Sequence, residues 1–128
     1  MKGGDFMIVS FDFSSETPIY MQIRNQIVIG IGKGLISPGE KLPTTRALAK
    51  EAGINTMTVN KAYQLLKKEG HIISDGRNGV VVCKPENSSG FLPSLQSSLE
   101  LLIYEAKANG ISEKAFLSLC SQIYTNEK

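Results

Sequence analysis

Asn55, Thr56, Thr58, Asn60 and Lys61 crowd into a single short stretch, Asn55-Thr56-Met57-Thr58-Val59-Asn60-Lys61. Short amides and hydroxyls donate and accept hydrogen bonds, and the lysine adds a cation, but no general base accompanies them to make a nucleophile. The set suits recognition better than bond breaking. Elsewhere the chain offers catalysis little. His71 is the sole histidine, Cys83 and Cys120 lie far apart, and no Cys-x-x-Cys or histidine pair supplies a metal-ligand spacing. Gly30, Gly32 and Gly34 lack the strand–turn–helix context of a phosphate loop, and no nucleophile elbow occurs. The expectation is a protein that is not an enzyme, with no cofactor, no metal and two reduced thiols.

The recognition residues need a scaffold, and the flanking sequence describes one. Thr44, following Pro43, is placed to N-cap a helix that ends at Gly53, a residue type favoured just past a C-terminus. Asn55 then caps a second helix with a buried stripe of Val59, Ala62, Tyr63 and Leu66, edged by Leu65 and stopped by Gly70. Ile54 is positioned to plug the crease between them. This is the plan of a helix-turn-helix, in which the second helix enters the DNA major groove by its N-terminal end. An ordinary helical hairpin would share the pattern, and the segment after Gly70 tips the balance. Ile72 and Ile73 lead into Asp75-Gly76-Arg77-Asn78-Gly79, and Val80, Val81 and Val82 return. Asn-Gly between β-branched runs predicts a type I′ hairpin, in which both central residues need positive φ. A hairpin there makes the wing of a winged helix-turn-helix, with Arg77 at the tip to reach phosphates or the minor groove. Ahead of these elements, Thr17 as N-cap and Pro18 at the first helical position open an amphipathic helix carrying Ile19, Ile23, Ile27 and Ile31, with Tyr20 and Val28. Gly30 to Gly34 frays its end, Ser37-Pro38-Gly39 turns, and Lys41-Leu42 suits a short edge strand beside the wing.

Charge follows the same division. From Pro18 to Lys84 there are ten basic and four acidic residues, a net of +6, while the rest of the chain is net −4. That asymmetry marks one region for a polyanion. Lys67 and Lys68 are weaker signals, because cations in a last helical turn also offset the macrodipole. No apolar run approaches the ~20 residues of a membrane span, and Asp5 and Asp12 interrupt what would be a signal peptide. A cytoplasmic protein without membrane contact is expected.

The run from Pro18 to Ile72 resembles the N-terminal domain of the GntR (gluconate repressor-like) transcription regulators. The matching features, in order, are Pro18-Ile19-Tyr20 with Gln22-Ile23, Gly34-Leu35-Ile36, Pro38-Gly39, Leu42-Pro43, Arg46, Leu48-Ala49, Thr58-Val59, Ala62-Tyr63 and Glu69-Gly70. The resemblance implies DNA contacts from Arg46, from Asn55, Thr56, Met57, Thr58 and Asn60, and from Gly76 and Arg77 in the wing; Thr44 and Thr45 beside Arg46, Lys61 at the start of the second helix and Asn78 in the wing turn join them as candidates by position. Relatives often carry arginine at the position of Thr56 and a polar residue at Met57, whose thioether here suits a thymine methyl. The wing of relatives usually reads Gly-x-Gly, whereas Gly76 and Gly79 are separated by two residues.

After a linker at 85–90 the chain leaves room for two helical patterns only. The first bears Leu92, Leu95, Leu99, Leu102 and Ala106, widened by Leu101 and Ile103, and ends at Gly110. The second has Ser112 as N-cap and Phe116, Leu119 and Ile123 on one side. Such a stripe must dock on its own domain or on a second copy, and a homodimer is the expectation. The expected architecture is mainly α (α+β): an N-terminal extended segment at 1–17, a winged helix-turn-helix domain at 18–85 and a helical dimerisation tail at 86–128. This organisation resembles the YtrA-like GntR proteins, which implies a repressor of a transporter operon acting as a homodimer on an inverted-repeat operator in double-stranded DNA. A small-molecule effector stays open and unidentified. The alternative is a winged-helix module for protein–protein contact without sequence-specific DNA binding.

Overall fold

The computed structural model describes residues 11–85 and 92–125, and the chain divides into two compact units at Pro85/Glu86. The first contains α1 (Ile19–Gly32), α2 (Thr45–Ala52), α3 (Thr56–Lys68) and an antiparallel pair, β1 (Ile72–Asp75) and β2 (Gly79–Val82). The second contains α4 (Pro93–Ala108) and α5 (Glu113–Thr125). It is a mainly helical chain whose first unit is a winged helix-turn-helix.

α3 packs against both α1 and α2, and its apolar stripe, Val59, Ala62, Tyr63 and Leu66, is buried at their junction. α1 contributes Ile23 and Ile27, α2 contributes Leu48 and Ala49, and the wing contributes Ile72 and Val82. Ile54 packs against this cluster from the turn. Gly53 makes that turn at φ 72°, a left-handed conformation that costs a side-chain-bearing residue, and the Ile54 N–H donates back to the Ala49 carbonyl at 3.0 Å.

Four details differ from the sequence expectation. α1 begins at Ile19 with Pro18, not Thr17, at the cap position, and no side chain caps it. The Gln22 amide instead donates to the Thr17 carbonyl and to the Asp12 carbonyl, each at 2.9 Å, which ties the preceding segment to the helix. That segment turns at Asp12–Ser15 rather than running extended, as far as it is described from residue 11; residues 1–10 of the expected extended run lie outside the described residues. α1 also keeps its helical form through Gly32, where the glycine run predicts fraying from Gly30, because Gly30 is buried in the helix and its carbonyl accepts from Leu35 and Ile36.

The wing turn is the fourth difference. Asp75 pairs with Gly79, so three residues, Gly76, Arg77 and Asn78, connect the strands as a turn of 3-10 helix. No described non-glycine residue has positive φ, which excludes the type I′ turn expected of Asn78-Gly79. Gly76 and Gly79, at φ 38° and 76°, carry the reversal between them. The register is pinned from the other edge: Lys41 bridges Val81, the Val82 N–H donates to the Glu40 carbonyl and the Leu42 N–H to the Val80 carbonyl. The edge segment expected at Lys41-Leu42 is therefore present as a single bridge.

Candidate nucleic-acid interface

Both helices of the helix-turn-helix open on a side-chain cap. Thr44 Oγ1 accepts from the Ala47 N–H at 3.0 Å, and Asn55 Oδ1 accepts from the Met57 N–H at 2.6 Å. Neither helix has an acidic residue in its first turn, so the positive end of each backbone dipole meets no local carboxylate. An anion is the natural counterpart. Thr56, Met57 and Asn60 are exposed along the start of α3, and Thr58 is half-buried. Met57 is 78 % exposed, which leaves a flexible apolar side chain without a packing role in the fold.

Arg46 is the second residue of α2 and is exposed, with no ion-pair or hydrogen-bond partner among the described residues. Thr45, beside it, is half-buried. The approach to α2 is fixed from below by Tyr63, whose hydroxyl donates to the Pro43 carbonyl at 2.7 Å. Burial pushes the Tyr63 phenol far above its ordinary range, so it stays a neutral donor. In the wing, Gly76 and Arg77 are exposed; Asn78 belongs to the same turn.

Lys61 is placed differently from its neighbours. Its ammonium lies 4.2 Å from the centroid of the Tyr20 ring, a cation–π contact that ties α3 to α1. Tyr20 is the partner that sequence reasoning missed, since its position on the α1 stripe signals only core packing. Another charge is used inside the fold: Arg24 Nε donates to Glu69 Oε1 at 2.9 Å, with His71 Nε2 at 3.8 Å from the same oxygen. His71 is held below its ordinary pKa, chiefly by burial; Glu69 opposes the shift and Arg24 adds to it.

A cleft of about 280 Å³ shows how the elements meet: Thr44 and Thr45 from the start of α2, Asn60 from α3 and Gly79 from the wing all line it. Of the expected contact residues, Thr44, Thr45 and Asn60 share this cleft with the base of the wing, Arg46, Asn55, Thr56, Met57, Thr58, Gly76 and Arg77 do not line it, and Lys61 faces α1.

The tail consists of α4 and α5 joined by a short turn, with Ser112 Oγ accepting from the Ala115 N–H at 3.1 Å at the head of α5. The residues expected to dimerise fall into two groups. Ala106 is buried and Leu99, Ile103 and Phe116 are half-buried, with Ile103, Ala106 and Phe116 lining a groove of about 390 Å³. Leu92, Leu95, Leu102, Leu119 and Ile123 are exposed, together with Leu101, Leu117 and Tyr124. Leu92 precedes α4 as its cap residue instead of sitting within the helix. No helix among the described residues is long and apolar enough to cross a membrane.

Comparison with known proteins agrees with this geometry. The family model described as bacterial regulatory proteins, gntR family, matches residues 19–82, from the start of α1 to the end of β2. The HTH-type transcriptional repressor YtrA of Bacillus subtilis is 34 % identical over 107 residues, covering 81 % of this chain and 82 % of its own. The structure of YtrA from Sulfolobus acidocaldarius, a GntR-family transcription factor, matches with a TM-score of 0.66 and 40 % identity, covering 79 % of this chain and 98 % of that one. A third match is the DNA-binding domain of AraR in complex with operator ORX1, with a TM-score of 0.53 and 29 % identity over 60 % of this chain and 96 % of that one. The chain belongs to the gntR family of bacterial regulatory proteins, in its YtrA-like branch.

Proposed function

We propose that this protein is a sequence-specific DNA-binding repressor that acts as a homodimer on an inverted-repeat operator. The observation that carries the proposal is the opening of α3: exposed Thr56, Met57 and Asn60 on a helix capped by Asn55, in a region of net charge +6. In the major groove, the amide of Asn60 suits the adjacent acceptor and donor of adenine, Asn55 keeps its Nδ2 to donate while its Oδ1 caps α3, and Met57 suits a thymine methyl. Arg46 serves as a clamp on a phosphate or a guanine edge, and Arg77 reaches the backbone or minor groove from the wing. Repression is supported by the similar B. subtilis protein, which is named a transcriptional repressor. Operator binding is supported by the likeness to a DNA-binding domain solved on its operator. The exposed leucines of the tail support dimerisation, and a two-fold dimer reads an inverted repeat. On the family resemblance, the regulated genes include a transport operon.

Titration of the intact chain against duplexes from its own upstream region, and against a scrambled duplex, tests this across a salt series. Binding to one upstream duplex should exceed binding to the scrambled one by about a thousandfold or more, and both should weaken steeply as salt rises. Weak binding that ignores sequence and salt would leave a winged-helix module for protein contact.

A further inference from the structure

The cleft between α2, α3 and the wing carries two cations that the recognition residues do not include. Lys41, on the segment that bridges β2, and Lys67, in the last turn of α3, both line it. Lys67 is half-buried there, its stem part of the recess wall. The stem of Lys41 is laid across the wing: its Cε would sit 3.6 Å from a Cβ added at Gly79. No carboxylate lines the cleft, and neither lysine has an ion-pair partner among the described residues. The remaining polar lining is neutral. The Thr44 hydroxyl accepts the cap bond through a lone pair and keeps its own proton to donate, Thr45 and Asn60 add donors, and the Tyr63 proton is already committed to Pro43. Two ammonium groups and several neutral donors around one recess, with nothing to neutralise them, describe an anion seat.

We propose that this cleft holds a single backbone phosphate of the operator, gripped by Lys41 and Lys67 where the strand passes between α3 and the wing. The proposal rests on the DNA-binding reading above and adds to it the one phosphate that locks the wing to the recognition helix. Thr44, Thr45 and Asn60 extend from that seat toward the residues that face the bases, so the phosphate would set the register of α3 in the groove. A free phosphate-bearing molecule has the same chemistry. The strand is favoured because the cleft is continuous with the surface assigned to DNA.

The test uses the full chain and operator duplexes in which one phosphate at a time is replaced by a neutral methylphosphonate. One position per half-site should weaken the wild-type protein and leave the Lys41→Gln/Lys67→Gln variant unaffected, because the variant has already lost that contact. The same variant should bind operator and scrambled duplex more weakly by equal factors, and its slope of log affinity against log salt should be shallower by about one. If the variant folds poorly, the wild-type scan compared with Lys41→Gln alone decides. Losses that simply add at every position, with an unchanged salt slope, would overturn the proposal while leaving wild-type operator binding intact. Chemical-shift changes at Lys41 and Lys67 with millimolar inorganic phosphate, and no coupled position in the DNA, would also overturn it, in favour of a free-anion site. A wild-type protein without salt-dependent DNA binding would remove both this inference and the reading beneath it.

Discussion

Arg46 separates recognition from folding more cleanly than any other side chain. It is exposed on α2 and partnerless among the described residues, so its removal should leave the unfolding midpoint nearly unchanged. Arg46→Ala should weaken operator binding by about 1–3 kcal/mol if the guanidinium reads a base. Gel-shift titration on matched and mismatched duplexes distinguishes this from a phosphate contact, which would weaken every sequence alike. Unchanged binding would take Arg46 out of the interface. His71 makes the opposite case, a group that belongs to the fold. Burial holds its pKa below the ordinary 6.5, so between the folded and unfolded values the unfolded chain carries more protons. Its contribution to stability is complete above the unfolded value and is lost as pH falls through the folded one. The urea midpoint should therefore decline as pH falls through 6.5 toward the lower folded-state value, and His71→Gln should flatten that decline. An identical slope in the variant would assign the effect elsewhere.

Among the elements, helix boundaries set by local hydrogen-bonding rules are legible in the sequence. Thr44, Asn55 and Ser112 cap as their residue types dictate, and Gly53 ends α2 in the left-handed region. The apolar period of α3 likewise identifies its buried face. The wing turn is not legible, because Asn78-Gly79 satisfies a two-residue turn locally while the register is imposed by pairing with the distant Glu40–Leu42 segment. The start of α1 shifts for a similar reason: Gln22, a full turn inside the helix, ties down the entering chain in place of a Thr17 side-chain cap. At the candidate site, spacing groups Lys61 with Asn60, and only the packing of Tyr20 reveals that the lysine turns to α1. Conversely, Lys67 reads in the sequence as an end-of-helix charge, and only the folded wing makes it part of the cleft. Tyr63 ties these elements together, and Tyr63→Phe tests how much. Losing the bond to the Pro43 carbonyl should cost about 0.5–1.5 kcal/mol in equilibrium urea unfolding, with the slope of the transition preserved. A loss near zero would mean that the Pro43 carbonyl finds water without penalty.

For the whole molecule, the tail is where sequence pattern and burial divide. Periodicity identifies the apolar positions of α4 and α5, but a stripe does not say which of them the tail covers itself and which it leaves in solvent. Ala106 is buried and Leu99, Ile103 and Phe116 are half-buried, whereas Leu102, at 54 % exposure, and Ile123, at 65 %, are left for the proposed second copy. A charge at an outer position should therefore dissociate the dimer without unfolding the DNA-binding unit. Leu102→Glu is expected to sediment as a monomer with native helicity, and the parent chain at micromolar concentration is expected to sediment as a dimer. A dimeric Leu102→Glu variant would place the contact on another face of the tail. The measurement that bears most directly on the proposed function is a footprint of the intact protein on its own upstream DNA, taken with the protein-to-duplex ratio of the complex. Two recognition helices related by a two-fold axis should protect two half-sites of an inverted repeat, centred about one helical turn (~34 Å) or a multiple of it apart, with two protomers per duplex. A single asymmetric half-site bound at full affinity by one protomer would contradict the dimeric operator-binding mechanism.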